Sequence, residues 1–478
     1  MKWLNKLLSF KADLMVTLLN GLIVIIGIFV LNGLIARMYG LEVLGEFLLI
    51  KRTLYSFVGI LLIGMTVGLP NFLSRDFDKS YGDNAFIIFI LFTIPLTVLF
   101  IYGIFRFNIS GFNNDKFWVY FIFSLGISAQ FITYALYRGY MNMIGANIFQ
   151  LLGTAIIPLI VFTSIDNLNN GLFWIGVSVL IIMIIAFLIR NNGFNVSVIN
   201  FTKIKQIFKY GFVRVPSFIS QFILLAGIPI FIAQSEKFED VAYFNSSLSL
   251  VRLSLIFINP IGMVLLPRIS NKISSGDKGD ISETLNLLFK AGIVFSIIGT
   301  TYCFINAPLI LKLWLGEINN NGVAILRFVI LALPFYTFAG LTRSPLDAIS
   351  ERGYNSIIYG LAAISMVIII FIGIILEKDL LITALYSFIV SHIIAGIVSA
   401  YYIQKLYNQW FLRIRILRDS IFCISSMIVI SKMISILNIP QFSQFIISSM
   451  IFLLLGIFII YYSKTGWVAQ IKSIFNAQ

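Results

Sequence analysis

The sequence predicts an all-α integral membrane protein with about fourteen transmembrane helices. Of its 478 residues, 59% are hydrophobic and only 11% are charged, and the mean hydropathy is +0.98. A chain of this composition has too little polar surface to cover a soluble globule of its size. Its apolar runs recur at lengths of roughly 20 residues, which at about 1.5 Å rise per residue cross a hydrocarbon core about 30 Å thick.

The apolar runs give the order of the predicted spans. They are residues 14–36, 44–69, 85–105, 117–137, 146–165, 172–190, 210–234, 242–267, 285–306, 322–346, 354–376, 380–404, 419–437 and 443–462. The first run follows the basic stretch "MKWLNKLLSFK", but it is too long for a secretory signal and no small-x-small cleavage pattern precedes "ARMYG". We therefore interpret it as an uncleaved first span.

The distribution of basic residues predicts the orientation. Lys and Arg total 34 against 20 Asp and Glu, which gives a net charge of +14. With a cytoplasmic N-terminus, 20 basic residues fall in inner loops and tails, 6 in outer loops and 8 within spans. This positive-inside asymmetry places both termini in the cytoplasm and explains the basic excess without a nucleic-acid partner.

Metal and disulfide chemistry has little support in the sequence. The two cysteines, Cys303 and Cys423, both fall within predicted spans, and His392 is the single histidine. One histidine cannot make a metal site by itself, so we expect His392 to be hydrogen-bonded between helices. No cofactor is expected.

An internal repeat predicts the domain organisation. The stretch "LLIGMTVGLPNFLSRDFDKS" at 61–80 is similar to "NPIGMVLLPRISNKISSG" at 259–276. Each predicts an apolar helix that continues through Gly-Met to Leu-Pro and is followed by charged residues. An offset of about 197 residues also aligns "LIARMYG" with "FIAQSEK". The predicted parts are an N-terminal lobe of six spans, a cytoplasmic linker, a C-terminal lobe of six spans, and a two-helix appendage with a cytoplasmic tail, at 1–190, 191–209, 210–404 and 405–478. Six spans per half give both lobes the same direction of insertion, and we expect a central cavity between them.

Charged residues inside the spans are the candidate functional residues, because a charge at bilayer depth costs at least about 2.5 to 3.5 kcal/mol. The eight basic ones are Lys51, Arg52, Arg214, Arg252, Lys290, Arg327, Arg343 and Lys432. Arg252 lies about ten residues into its span and so about 15 Å deep. Several of the others lie near helix ends, from which long side chains can reach the headgroups.

The charge pattern favours an anionic substrate. Asp and Glu residues fall in loops or within about a turn of a helix end, so the cations need a mobile negative partner. A diphosphate fits, because guanidinium groups bind it through paired hydrogen bonds. Lys51 and Arg52 are adjacent and point about 100° apart, so we expect one of them to face the cavity, and which one stays open. The candidate substrate contacts are Arg252, Arg52, Lys51, Arg343, Arg214 and Arg327.

The segments "IARMYGLEVLGEF" and "VLLPRIS", with the duplicated span layout, resemble the polysaccharide-transporter branch of the multidrug/oligosaccharidyl-lipid/polysaccharide (MOP) exporter superfamily, in which Wzx-type O-antigen flippases are the nearest members. The resemblance implies a MATE-like pair of helical lobes in the bacterial inner membrane. It implies that undecaprenyl-pyrophosphate-linked O-antigen or capsular repeat units are flipped from the cytoplasmic to the periplasmic leaflet by alternating access. The implied partners are that lipid, membrane lipids and polysaccharide polymerase machinery, with a monomer as the default state.

Two other functions fit the sequence less well. A cation or drug antiporter of the same superfamily calls for buried carboxylates. A membrane polysaccharide polymerase or ligase calls for catalytic groups and usually a large outer loop, whereas the longest predicted outer loop, 307–321, has about 15 residues. No Walker A, HExxH or GxSxG pattern is evident, so we expect no enzymatic activity. The glycan and the energy source stay open.

Overall fold

A computed structural model describes residues 2–76, 78–165, 167–195, 199–255, 258, 279–349, 353–407, 414–436 and 440–462. All the regular structure among these residues is helical, which confirms the predicted fold class. The chain forms two compact units, residues 1–245 and 246–478, and the division falls inside one helix, Phe238–Arg252. The lobe and linker boundaries expected from the repeat stay a prediction.

The first unit contains helices α1 to α12 and the start of α13. In order they are α1 (Lys2–Tyr39), α2 (Leu41–Leu61), α3 (Met65–Asp76), α4 (Ser80–Ile88), α5 (Ile94–Arg106), α6 (Phe117–Gly139), α7 (Met143–Leu151), α8 (Ile157–Ser164), α9 (Leu168–Arg190), α10 (Phe201–Phe212), α11 (Val215–Phe222), α12 (Ile228–Ala233) and α13 (Phe238–Arg252). Helix α6 is the central one, because 72% of its apolar window is buried, against 28 to 39% for the unit's other unbroken spans.

Eight further helices among the described residues belong to the second unit. They are α14 (Gly279–Ile305), α15 (Ala307–Leu315), α16 (Asn320–Ile330), α17 (Leu333–Ile349), α18 (Tyr354–Ile375), α19 (Leu380–Tyr407), α20 (Ile414–Ile436) and α21 (Gln441–Tyr462). The apolar window within Asn320–Asp347 is 56% buried, so α16 and α17 lie nearest the centre of this unit.

Ten helical segments among the described residues are long and apolar enough to cross a membrane, or eleven if α2 and α3 form one bent span. The protein is therefore a multi-pass membrane protein. These eleven segments match eleven of the fourteen predicted spans. The predicted spans at 242–267 and 419–437 extend into residues outside the described ranges. The predicted span at 443–462 lies within α21, where the apolar stretch Phe442–Leu454 is shorter than a membrane span, so the count of fourteen stays a prediction.

Three spans widen by one π-helical turn immediately before an Ile-Pro pair. The turns are Phe89–Thr93, Leu152–Ile156 and Ile223–Gly227, and they precede Pro95, Pro158 and Pro229. Proline has no N–H group and its ring clashes with the carbonyl of the preceding turn, so a local change to wider hydrogen bonding relieves the clash. The same dipeptide thus produces the same irregularity at three places.

The helix expected to run unbroken through "GMTVGLP" is interrupted. Helix α2 ends at Leu61, Ile63 and Gly64 have φ of 48° and 70°, and α3 starts at Met65 at an angle of 48° to α2. The break brings Gly64 against Gly211 of α10, where a Cβ on Gly64 would lie 2.6 Å from the Gly211 Cα. Only glycine combines a positive φ with this close approach. The matching stretch at 259–276 lies outside the described residues.

Hydrogen bonds connect the segment after α9 to the start of α4. The Asp83 carboxylate, fully buried, accepts hydrogen bonds from the Asn191 side chain at 3.0 Å and from the Asn195 backbone N–H at 3.1 Å. Asn84 accepts one from the Asn200 backbone at 2.9 Å, and Asn200 in turn caps α10. The predicted linker at 191–209 is therefore held to the first unit along much of its length.

An ion pair reinforces this attachment. Lys203 of α10 contacts Asp78 and Ser80. Asp78 lies in the short loop between α3 and α4, and its hydrogen bond from Lys203 lowers the pKa of this carboxyl group below its usual range. The interaction is partly exposed to solvent, so its contribution to stability is small.

Candidate functional site

The two adjacent cations of α2 point to different neighbours. The Lys51 side chain lies among α2, α6, α8 and α9, where its Nζ is 5.2 Å from the Phe47 ring centroid and 5.9 Å from the Tyr55 ring centroid. The Arg52 guanidinium turns away, and its Nε donates a hydrogen bond to Asn245 Oδ1 of α13 at 3.3 Å. The two side chains, which the sequence could not distinguish, therefore have different environments in the structure.

The pocket around Lys51 is narrow. Its volume is about 10 Å³, which is room for about one water molecule. Its lining is aromatic and aliphatic apart from Lys51, Tyr55 and Gln130, and Tyr55 is the other titratable residue in it. A pocket of this size cannot admit a diphosphate or a sugar.

A chain of buried amides lies behind the Lys51 pocket. Gln130 of α6 donates to Thr154 Oγ1 at 2.8 Å and to the Gln150 carbonyl at 3.2 Å, and it accepts from the Tyr55 hydroxyl at 3.3 Å. Asn20 of α1 donates to the Gln150 side chain at 3.2 Å. Four helices are thus tied together by hydrogen bonds within the bilayer, where an unsatisfied polar group is costly.

The amide chain was missed by sequence reasoning, which searched the spans for charges. Asn147 extends the chain, since it accepts from Asn20 at 3.4 Å and donates to Thr17 at 3.1 Å. Asn147 and Gln150 are three residues apart on α7 and so on one face of it. That spacing of two amides in an apolar run is the signal that could have identified the network.

The other candidate cations occupy varied positions. Arg252 is half-buried at the end of α13 and follows Asn245 by seven residues, two helical turns, so both lie on the same face of that helix. Arg214 precedes α11, donates to the Tyr210 carbonyl at 2.8 Å and lies 3.8 Å from the centre of the Tyr210 ring. Arg343 of α17 is exposed.

Arg327 of α16 lies in a groove within the second unit, hereafter the Arg327 groove. The groove has a volume of about 820 Å³ and is lined mainly by Phe304, Pro308, Ile318, Val323, Phe328 and Leu331, with Arg327 as the single charged lining residue. The Arg327 Nε donates to the Phe304 carbonyl at 3.2 Å, and the guanidinium lies 5.3 Å from the Phe304 ring centroid. Arg327 thus has an environment unlike that of Lys51.

His392 does not bond between helices as expected. Its Nδ1 lies 2.8 Å from the Phe388 carbonyl, one turn earlier on the same helix, α19. The contact with another helix is a ring contact instead, 5.6 Å to Tyr336 of α17. Among the described residues, no group of three or more His, Cys, Asp or Glu is arranged to hold a metal ion.

Comparison with known proteins identifies the fold. No family model matches the chain, and no curated protein matches it. Among solved structures, the lipid II flippase MurJ in an inward closed conformation aligns over 96% of this chain and 100% of its own, with a TM-score of 0.67 and 14% identity.

Multidrug transporters of the MATE family align as well. An inward-facing MATE transporter of the MOP superfamily covers 82% of this chain and 94% of its own, with a TM-score of 0.62 and 15% identity. A MATE crystal structure in the straight conformation covers 84% and 97%, with a TM-score of 0.58 and 14% identity. The chain therefore has the fold that MurJ and the MATE transporters share, which is the MATE-like helical fold that the sequence resemblance implied.

Proposed function

We propose that this protein is a lipid-linked oligosaccharide flippase that moves undecaprenyl-pyrophosphate-linked O-antigen or capsular repeat units across the bacterial inner membrane by alternating access. The observation that carries the proposal is the extent of the likeness to a lipid II flippase, which covers 96% of this chain and all of the other. The likeness to the inward-facing MATE transporter covers 82%. Both termini would lie in the cytoplasm, and polysaccharide polymerase machinery would be the associated partner.

Arg52 and Arg252 are the proposed diphosphate contacts. Arg52 is half-buried, and Asn245, itself fully buried, holds its Nε, which orients the planar guanidinium. Arg252 lies on the Asn245 face of α13, two turns further along. A guanidinium group binds phosphate oxygens through paired hydrogen bonds, so two arginines suit a diphosphate better than an alkali cation or a cationic drug.

The geometry of the first unit supports Arg52 over Lys51 for this role. The Lys51 ammonium group occupies a pocket of about 10 Å³, which a diphosphate cannot enter. We propose that Lys51 instead supports the packing of α2 through its contacts with the Phe47 and Tyr55 rings. Arg214 and Arg343 stay secondary candidates, since Arg214 is already engaged with Tyr210 and Arg343 lies near a helix end.

The proposal is tested by deleting the gene in its host and measuring lipid-linked oligosaccharide on each leaflet. We expect accumulation on the inner leaflet that wild type relieves and that well-expressed Arg52→Ala and Arg252→Ala do not. Lys432→Ala is the matched control, because it removes an exposed cation from α20 and should restore export fully. Normal export after deletion, in a host with no second flippase, would refute the flippase function.

The MATE likeness supports one alternative, export of a cationic drug. It is tested in the same deletion strain by efflux of ethidium. Efflux that depends on this protein, together with undisturbed glycolipid export, would favour the alternative. We expect the reverse, because the candidate residues are cationic and would repel a cationic substrate.

A further inference from the structure

The Arg327 groove has features of a binding site that the proposed transport function does not use. Its volume of about 820 Å³ lies within the range of about 300–1,000 Å³ that is typical of ligand pockets. It is formed by the end of α14, the start of α15, the turn at Ile318–Asn320 and the first turns of α16. All these elements belong to the second unit.

The charge of the groove is unbalanced. Of the five N–H donors on the Arg327 guanidinium, Nε is bonded to the Phe304 carbonyl, and this is the hydrogen bond that Arg327 makes within the described part of the chain. Its Nη groups are therefore available to a ligand. No acidic side chain is among the residues that line the groove, so the complementary ligand carries negative charge.

Apart from Asn319 and Asn320, the rest of the lining is apolar and open to the surroundings. Phe304, Ile318 and Leu331 are each about 40% exposed, although they are large hydrophobic residues within or beside a membrane span. Such surface is suited to hydrocarbon chains. A ligand that contacts both the Arg327 guanidinium and the apolar lining therefore combines an anionic oxygen group with an apolar tail.

The position of Arg327 places that anionic group at the level of the lipid phosphates. Arg327 lies seven residues, or about 10 Å, beyond the start of α16. A segment of 28 residues, Asn320–Asp347, is about 42 Å long and spans both headgroup regions as well as the hydrocarbon. A guanidinium near one end of it is within reach of the phosphates of that leaflet.

We infer that the Arg327 groove binds one anionic glycerophospholipid, with its phosphate on the Arg327 Nη groups and an acyl chain along Phe304, Phe328 and Leu331. A zwitterionic lipid fits less well, because no lining residue carries a negative charge to offset that of its ammonium group, which would lie near the Arg327 guanidinium. The site lies in the leaflet that the predicted topology makes the outer one. It is independent of the proposed transport activity and does not rest on it.

The inference is tested by native mass spectrometry of the purified, delipidated full chain in neutral detergent, titrated with phosphatidylglycerol or phosphatidylcholine. We expect one phosphatidylglycerol to bind wild type at least about tenfold more tightly than Arg327→Gln, since a hydrogen bond to a charged group contributes about 1.5–3 kcal/mol. Phosphatidylcholine should bind wild type as weakly as phosphatidylglycerol binds the variant. Arg327→Lys, which keeps the charge but not the paired donors, should be intermediate.

Two further variants separate the groove from general electrostatics and from misfolding. Ala324→Trp fills the groove and keeps the arginine, so it should also lose the tight lipid. Lys312→Gln removes an exposed cation of α15 that does not line the groove, and it should bind like wild type. Equal binding of phosphatidylglycerol to wild type and Arg327→Gln, or to wild type and Ala324→Trp, would overturn the inference.

Competition identifies the source of the phosphate. Inorganic phosphate in millimolar excess should not displace the lipid, since it makes no contact with the apolar lining. Full displacement by inorganic phosphate would reduce the groove to an anion site. Displacement by undecaprenyl phosphate at a lower concentration than by phosphatidylglycerol would assign the groove to the carrier lipid and contradict the inference.

Discussion

The amide chain of the first unit and the Arg327 groove of the second are two ways of placing polar groups in a membrane. Gln130 sits at the centre of the first, where neighbouring side chains and a carbonyl group use both its donors and its acceptor. Arg327 has one hydrogen bond to a carbonyl group and faces a groove of about 820 Å³. A polar residue whose donors and acceptors are all used by other helices supports packing. One that faces a groove with donors left over can bind a ligand, so the partners of the residue matter more than its charge.

The largest effect on stability is expected from a substitution that separates α6 from α9, the helix pair beside the amide chain of the first unit. A Cβ on Gly176 of α9 would lie 2.7 Å from the backbone N and Cα of Phe123 on α6, and backbone cannot yield cheaply. Gly176→Leu should therefore lower the free energy of unfolding by about 3 kcal/mol. The measurement is thermal unfolding in detergent. Gly103→Leu is the control, because nothing lies within 4 Å of its Cβ position, and an equal loss there would contradict the close-packing argument.

The next effect tests whether the amides are structural. Gln130→Ala removes the hydrogen bonds that Gln130 makes with Tyr55, Thr154 and the Gln150 carbonyl inside the membrane, so the free energy of unfolding should fall by about 1–3 kcal/mol. Gln234→Ala removes an exposed amide that bonds only weakly to its own helix, at 3.4 Å, and should change stability by less than about 0.5 kcal/mol. Equal melting of the two variants would show that the network does not stabilise the unit.

A smaller effect is expected at the loop between α3 and α4. Because Lys203 lowers the pKa of Asp78, the interaction stabilises the folded state above the ordinary Asp pKa of about 3.9, and the stabilisation is lost as pH falls through the lowered value. Asp78→Asn should therefore reduce stability by less than about 1 kcal/mol at pH 7 and by nothing in acid below both pKa values. Melting curves from pH 7 down into acid below both pKa values, at low and high salt, check this. A penalty that grows in acid would be inconsistent with the ion pair.

The smallest effect is expected at Arg327. Without added lipid, Arg327→Gln removes one bond to the Phe304 carbonyl and leaves no buried charge, so the melting temperature should change little. With phosphatidylglycerol added, wild type should melt at a higher temperature and the variant should not. A large loss of stability in the absence of lipid would instead place Arg327 with Gln130 among the structural polar residues.

Most spans could be predicted from the sequence, because length and apolarity are properties of the segment alone. The orientation of Lys51 against Arg52 could not, since it depends on which helices pack against α2. Asp83 was also beyond prediction. It lies two residues before the predicted span 85–105, and nothing in the sequence indicates that the segment after α9 covers it completely.

The surroundings of Arg327 could not be predicted for a related reason. Proximity to a helix end suggested a side chain that reaches the headgroups or faces a substrate, and the sequence does not reveal the groove that α14, α15 and α16 form around it. The break at Gly64 was equally hidden. It depends on contact with Gly211, nearly 150 residues away in the chain.

The hydrogen bonds of Asp83 also have a consequence for the synthesis of the protein. Its partners Asn191 and Asn195 follow it by 108 and 112 residues. At a synthesis rate of about 5–20 residues per second, the carboxylate waits about 5 to 20 s for them after it leaves the ribosome. During that interval four predicted spans enter the bilayer while the predicted cytoplasmic end of α4 still lacks its cover. A chain that stalls before Asn191 therefore exposes an unfinished surface that quality-control proteases can recognise.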